Sequence, residues 1–166
     1  MRWLALLFVL GASASAGTLE IHYAPDENLE AIDVAAIENA SVCVDMAAYV
    51  LSDVAVIEAL GDAADRGVAV RLYLDRAQYE GHANAVAALI GRTGVSARIK
   101  PSGALMHLKA YAVDRERLRT GSGNFSLSGL SRQDNDALFT DDSAIVTRFE
   151  RDFESIFAQG APAPGS

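Results

Sequence analysis

Short runs of β-branched and apolar residues alternate with apolar patterns of helical period along almost the whole chain, and that alternation admits few folds. Residues 18–23 read as a first strand, followed by a helix whose face carries Leu29, Ile32, Ala36, Ile37 and Ala40. Residues 41–46 alternate into a second strand, and the pattern allows its extension through Tyr49 and Val50. Ser52 or Asp53 can cap the next helix, with Val54, Ile57, Leu60 and Ala64 as its expected inner face and Gly67 at its C-terminal stop. A strand over 68–74, a helix near 83–90 ended by Gly91 or Gly94, and a strand over 95–99 come next. Pro101-Ser102-Gly103 breaks the pattern. Residues 107–113 and 118–120 read as strands around a polar turn, and 136–140 as a further strand. A last helix from about Asp142 lines up Ile145, Phe149, Phe153, Ile156 and Phe157. Together these elements predict an α/β sandwich, a mostly parallel or mixed sheet flanked by helices, without internal repeats.

The length of 166 residues suits one domain with a sizeable core, and 51% hydrophobic content excludes a disordered chain. The formal net charge of −8 is the wrong balance for gripping nucleic acid through bulk charge. Only two lysines occur, Lys100 and Lys109, so a lysine inside a motif stands out. The start, Met1-Arg2, an apolar run over 3–10 and then Ala14-Ser15-Ala16, reads as a secretory signal peptide cleaved near Ala16. The expected organisation is a signal peptide over 1–16, a single domain over 17–159 and a disordered Pro/Gly/Ala tail over 160–166, in a secreted or periplasmic protein. Cys43 has no partner within the chain and reads as an inert buried thiol, which also excludes a cysteine-rich zinc site.

The stretch from His107 to Asn124 carries chemistry. Residues two apart in a strand face the same side, so His107 and Lys109 are expected to project together. An ammonium beside an imidazole suits an anion: the lysine holds a phosphate oxygen, and the histidine attacks phosphorus or moves a proton. Gly121-Ser122-Gly123-Asn124 follows the next strand, with glycines for close backbone approach and a hydroxyl, an amide and backbone N–H groups as phosphate donors. Asp114 taken alone is a turn residue, and Gly121 to Asn124 taken alone a plain turn. Arg115, Arg117, Arg119 and Arg132 read either as a nucleic-acid track or as a solvated hairpin with Glu116 interleaved.

The spacing His107-x-Lys109-x4-Asp114-x6-Gly121-Ser122-x-Asn124 resembles the signature of the phospholipase D superfamily. Phe125-Ser126 and the upstream Gly67-Val68 and Val70-Arg71 add to the likeness. The resemblance implies a phospholipase D-like sandwich and a metal-independent phosphodiester hydrolase with no cofactor. His107 is then the nucleophile that forms a phosphohistidine, with Lys109 and Asn124 on the non-bridging oxygens and Ser122 supporting the phosphate pocket. Asp114, the motif aspartate, counts with the catalytic set in a mainly structural and electrostatic part. The family often carries an acid downstream that orients a catalytic histidine. An ungapped count puts Asn135 there, and Asp134 is favoured over Asp136 for that part. The family uses two histidines, whereas His22 and His82 lack the lysine spacing. His22 reads as a strand residue and His82 as a loop residue, so the resemblance implies a homodimer sharing one active site. Nucleic acid, cut by an endonuclease, is the first substrate reading. A phospholipid headgroup diester is the alternative and asks for an apolar rim such as Leu105, Met106, Phe125 and Leu127. A non-catalytic binding member ranks last, because His107 and Lys109 are both intact.

Overall fold

A computed structural model describes residues 17–164. The expected signal peptide over 1–16 lies outside the described residues. The chain runs β1 (Leu19–Ala24), α1 (Leu29–Glu38), β2 (Cys43–Ala48), α2 (Val54–Asp65), β3 (Ala69–Leu74), α3 (Arg76–Ile90) and β4 (Val95–Ile99). It continues through β5 (Lys109–Val113), β6 (Arg117–Gly121), α4 (Leu127–Ser131), β7 (Asn135–Thr140), α5 (Ser143–Gln159) and β8 (Ala161–Pro162). The strands form one mixed sheet in the order β1-β7-β6-β5-β2-β3-β4-β8. β2, β3 and β4 are mutually parallel, whereas β5, β6, β7 and β1 pair antiparallel.

Helices cover both faces. Leu29 and Ile37 of α1, Leu60 of α2, Leu89 of α3 and Leu130 of α4 share a core with Val44, Leu72, Tyr111 and Phe139 of the sheet. On the other face α5 lays Phe153 and Phe157 against Ala47 and Tyr73, and Val146 against Ala110 and Leu118. The predicted α/β sandwich is therefore the observed architecture, with every residue of β2 and β5 buried. Two-sided cover of this kind explains why the central strands read as apolar runs.

Several elements depart from expectation. α2, capped by Asp53 as expected, buries Val56, Ala59, Leu60, Ala63 and Ala64, while Val54 points to solvent, because the small Ala59 and Ala63 let this face pack closely. α3 begins at Arg76, because the Asp75 carboxylate accepts from the N–H groups of Ala77 and Gln78. His82 thus sits inside α3, at a local break (φ −127°, ψ 18°), and not in a loop. Ile145 is exposed on α5, and Val146 takes the inward position. The tail expected to be disordered from 160 instead contributes β8, whose Ala161 and Pro162 pair with Ile99 and Arg98, and Ala163 is buried. Cys43 is free and buried, as expected.

Candidate phosphate site

The site forms where β5 starts and β6 ends, two neighbouring antiparallel strands. Residues 100–108 reach it from β4, three strand positions away, crossing the ends of β3 and β2 over about 14 Å. This strap is pinned on both sides of His107. The Asp75 Oδ2 atom accepts from Met106 N at 3.1 Å, and Tyr49 N donates to Leu108 O at 2.8 Å. Asp75 is itself buried, and it caps α3 with its other oxygen.

His107 lies just before β5, not within it as expected, and is exposed. It still meets Lys109, by a route other than strand alternation. Lys109 Nζ stands 3.1 Å from His107 Nδ1 and donates to His107 O at 2.8 Å. The Tyr49 ring lies under both groups, with its centroid 4.4 Å from that of the imidazole and 4.8 Å from Lys109 Nζ. Gln78 Nε2 on α3 holds the Tyr49 hydroxyl at 3.1 Å. Burial pulls the Lys109 ammonium below the usual lysine value.

The second half of the motif is a tight loop. A side chain at Gly121 would meet Asp136 O at 2.3 Å, so this approach of β6 to β7 requires glycine. Ser122 Oγ donates to Asn135 Oδ1 and accepts from Asp136 N, both at 3.0 Å, and Ser122 N donates to Asp136 Oδ1 at 3.2 Å. The Asn124 side-chain oxygen is buried without a hydrogen-bond partner, which leaves its NH2 as the group able to meet a ligand. Ser126 caps α4 and donates its N–H to Asn124 O at 2.8 Å. The Phe125 carbonyl accepts from Ser52 N and Asp53 N, tying the loop to the start of α2.

A profile described as cardiolipin synthase, PLD-like domain, matches residues 34–157. The chain belongs to the phospholipase D superfamily. It is 31% identical over 98 residues to a mitochondrial cardiolipin hydrolase of Xenopus tropicalis, covering 59% of this chain and 46% of that protein. To a phospholipase D of Rickettsia felis it is 28% identical over 113 residues, covering 68% and 56%. The chain thus spans about half the length of these relatives. The fold matches Nuc, a phospholipase D family member from Salmonella typhimurium, at a TM-score of 0.81 and 22% identity, covering 89% of this chain and 99% of that one. NucT from Helicobacter pylori matches at 0.82 and 17% identity, covering 89% and 100%.

The superfamily motif is only partly gathered in one place. His107, Lys109, Ser122 and Asn124 belong to the two segments that meet at this end of the sheet. Asp114 does not join them. It lies past the other end of β5, about 16 Å along the strand from Lys109. There its carboxylate accepts from the N–H groups of Ser41, Val42 and Cys43 at 2.7–3.1 Å, so within this chain it holds backbone and does not reach the groups placed on the phosphate. Among the described residues of one chain no hydrogen bond joins Asp134 to His107. Asp134 is exposed on the wall of a cleft of about 510 Å³ that Tyr23, Asp26, Ser122 and Asp136 also line. Among the described residues no carboxylate hydrogen-bonds the His107 ring, because Asn135 and Asp136 are engaged with Ser122.

The arginine track also dissolves. Arg119 is fully buried against Asp33, Arg117 pairs with Glu20 at 2.8 Å, and Arg115 lies 3.8 Å from Glu150. Sequence reasoning missed Tyr49, Asp75 and the Asp33–Arg119 pair. One signal was available: Asp33 sits between Leu29 and Ile37 on a buried helical stripe, where a carboxylate calls for a buried cation.

Proposed function

We propose that the chain hydrolyses phosphodiesters without a metal, using His107 as the nucleophile. The observation that carries this reading is the imidazole and the partly desolvated Lys109 ammonium, 3.1 Å apart and both backed by Tyr49, at the strand ends that also carry the Asn124 loop. A phosphate entering there draws Lys109 onto a non-bridging oxygen, with Asn124 NH2 as a further donor, while Ser122 spends its own donors on Asn135 and Asp136 and shapes the loop. The imidazole forms a bond to phosphorus as the P–O bond to the leaving alcohol breaks, and that alcohol departs with a proton from an acid. Water then attacks the phosphohistidine and returns the histidine and a phosphomonoester.

The acid is assigned to a second copy. His22 is bonded to Glu27 and packs edge-on against Phe139, and Lys109 Nζ bonds His107 and no other histidine among the described residues. A homodimer that brings two exposed His107 side chains together supplies both parts. Export through the segment over 1–16 belongs to the same proposal, with a mature chain beginning at Gly17.

For the substrate, the surface supports a phospholipid headgroup diester over nucleic acid, reversing the order expected from sequence. Three of the four arginines are committed to carboxylates, and the cleft beside Ser122 presents Asp26, Asp134 and Asp136, which repel a polyanion. Leu105, Leu108 and Leu127 flank the motif and are 63%, 46% and 49% exposed. Met106 and Phe125, expected in that rim, are buried.

The test is turnover in EDTA by the wild type and His107→Ala, with phospholipid vesicles and with single-stranded DNA, beside sedimentation of the active species. The expected result is vesicle hydrolysis by a wild-type dimer, reduced about a thousandfold or more in His107→Ala. DNA cleavage with intact vesicles would restore the nuclease reading. Full activity in His107→Ala, or in a monomer, would reject the nucleophile or the shared site respectively.

A further inference from the structure

Arg119 has no exposed surface, yet it carries a charge that burial penalises. Its Nε donates to Asp33 Oδ1 at 3.1 Å, and the same oxygen accepts from the Tyr111 hydroxyl at 2.9 Å. Its Nη1 donates to Lys109 O at 3.0 Å and to Gly123 O at 3.3 Å. Those two carbonyls belong to the two halves of the motif. The registered pairing of β5 with β6 stops at Tyr111 opposite Arg119, so no ladder bond ties Lys109 to the Gly121 end of β6. The guanidinium stands in for that missing rung. It also lies 4.8 Å over the ring of Phe125, the residue whose carbonyl anchors the start of α2.

An apolar cluster of the same volume fills a core at least as well as a buried ion pair does. What an apolar cluster lacks is a rigid planar fork that donates to three oxygens in fixed directions. We infer that Arg119, braced by Asp33, is a positioning residue: it fixes the spacing between Lys109 and the Gly121–Asn124 loop so that both reach one phosphate. It touches no substrate. The inference rests on the proposed function in taking those two segments as the phosphate binders.

The test replaces the whole buried cluster at once, Asp33→Leu with Tyr111→Phe and Arg119→Met, so that no orphan charge is left inside. A role confined to packing keeps function in the folded triple variant. A positioning role lowers kcat about a hundredfold and weakens binding of inorganic phosphate about tenfold at a temperature where the variant is fully folded, beside a fall in melting temperature from the two carbonyls that lose their donor. Wild-type kcat together with wild-type phosphate affinity overturns the inference. Should the triple variant fail to fold, Arg119→Lys carries the test at a temperature where it is folded. Its single ammonium can face Asp33 but cannot span Lys109 O and Gly123 O, so the same losses are expected, and unchanged values overturn the inference. His107→Ala serves as the separate control. If it keeps turnover, the proposed nucleophile fails, while phosphate affinity in the Arg119 variants still decides the positioning role.

Discussion

Asp114 gives its carboxylate to three consecutive backbone N–H groups, and its pKa is lowered by those bonds against the opposing effect of burial. A depressed carboxyl stabilises the fold above its unfolded value, and that contribution is lost as pH falls through the acid range. Asp114→Asn is expected to cost about 1–2 kcal/mol at neutral pH, allowing for partial exposure, and nothing once the acid is protonated. Urea melts between pH 3 and 7 read the difference, and turnover per folded molecule stays at the wild-type level. Loss of turnover in a fully folded variant would return Asp114 to the site. The motif spacing alone could not separate this residue from Lys109, since a signature records which residues occur together and not which end of a strand each occupies. The same limit applies to Asp134. Its candidacy came from a count along the chain, and the Ser122 contacts of Asn135 and Asp136 could not be read from that count.

The hairpin joining β5 to β6 turns through Asp114 and Arg115, both in the left-handed region at φ 54° and 59°. That geometry strains any residue with a Cβ, and hairpins of this kind favour glycine at the second position. Arg115→Gly is expected to raise stability by about 0.5–1 kcal/mol, since the ion pair it removes is long and exposed at its arginine end. A thermal melt checks it, and a lowered midpoint would mean that the Glu150 contact outweighs the relief of strain. Most strands were legible to within two residues, because β-branched runs bounded by caps and glycines leave little choice. α4 was not, since Leu127 to Ser131 is shorter than any periodicity can report. β8 was missed because a Pro/Gly/Ala segment has no strand pattern of its own and joins the sheet through the edge that β4 offers. The inner face of α2 was misjudged for a related reason: Ala59 and Ala63 pack closely where larger residues were sought.

Between the sheet and α5 the molecule buries charge as well as aromatic rings. Arg71 of β3 bonds Asp45 of β2 through two nitrogens at 2.6 Å and reaches Glu154 of α5 at 2.8 Å. Glu150 lies in the same layer with both oxygens buried, facing Asp45, Arg71, Arg115 and the Cys43 thiol, and when protonated it can share its proton with the Asp45 carboxylate. Burial first, and Asp45 second, push its carboxyl up to about 7. A raised carboxyl favours the folded state while protonated, so stability is full below about pH 4.5 and declines as pH rises through 7. Glu150→Gln is expected to match wild type near pH 4.5 and to exceed it at pH 8 by up to about 3 kcal/mol. Equal melting temperatures at pH 8 would show that Arg115 already compensates the charge.

The crossing of residues 100–108 over the ends of β3 and β2 has a consequence for how such a protein diversifies. The bond from Met106 N to Asp75 fastens the strap immediately before His107, so the five residues from Pro101 to Leu105 lie upstream of the fastening. Insertions there would enlarge the exposed side of the strap while the Met106–Asp75 bond still fixes where His107, the proposed nucleophile, begins. A stretch fastened downstream in this way can change length without shifting the segment that carries His107 and Lys109, so the part of the surface around the proposed site that varies most easily is separated from the part that is held.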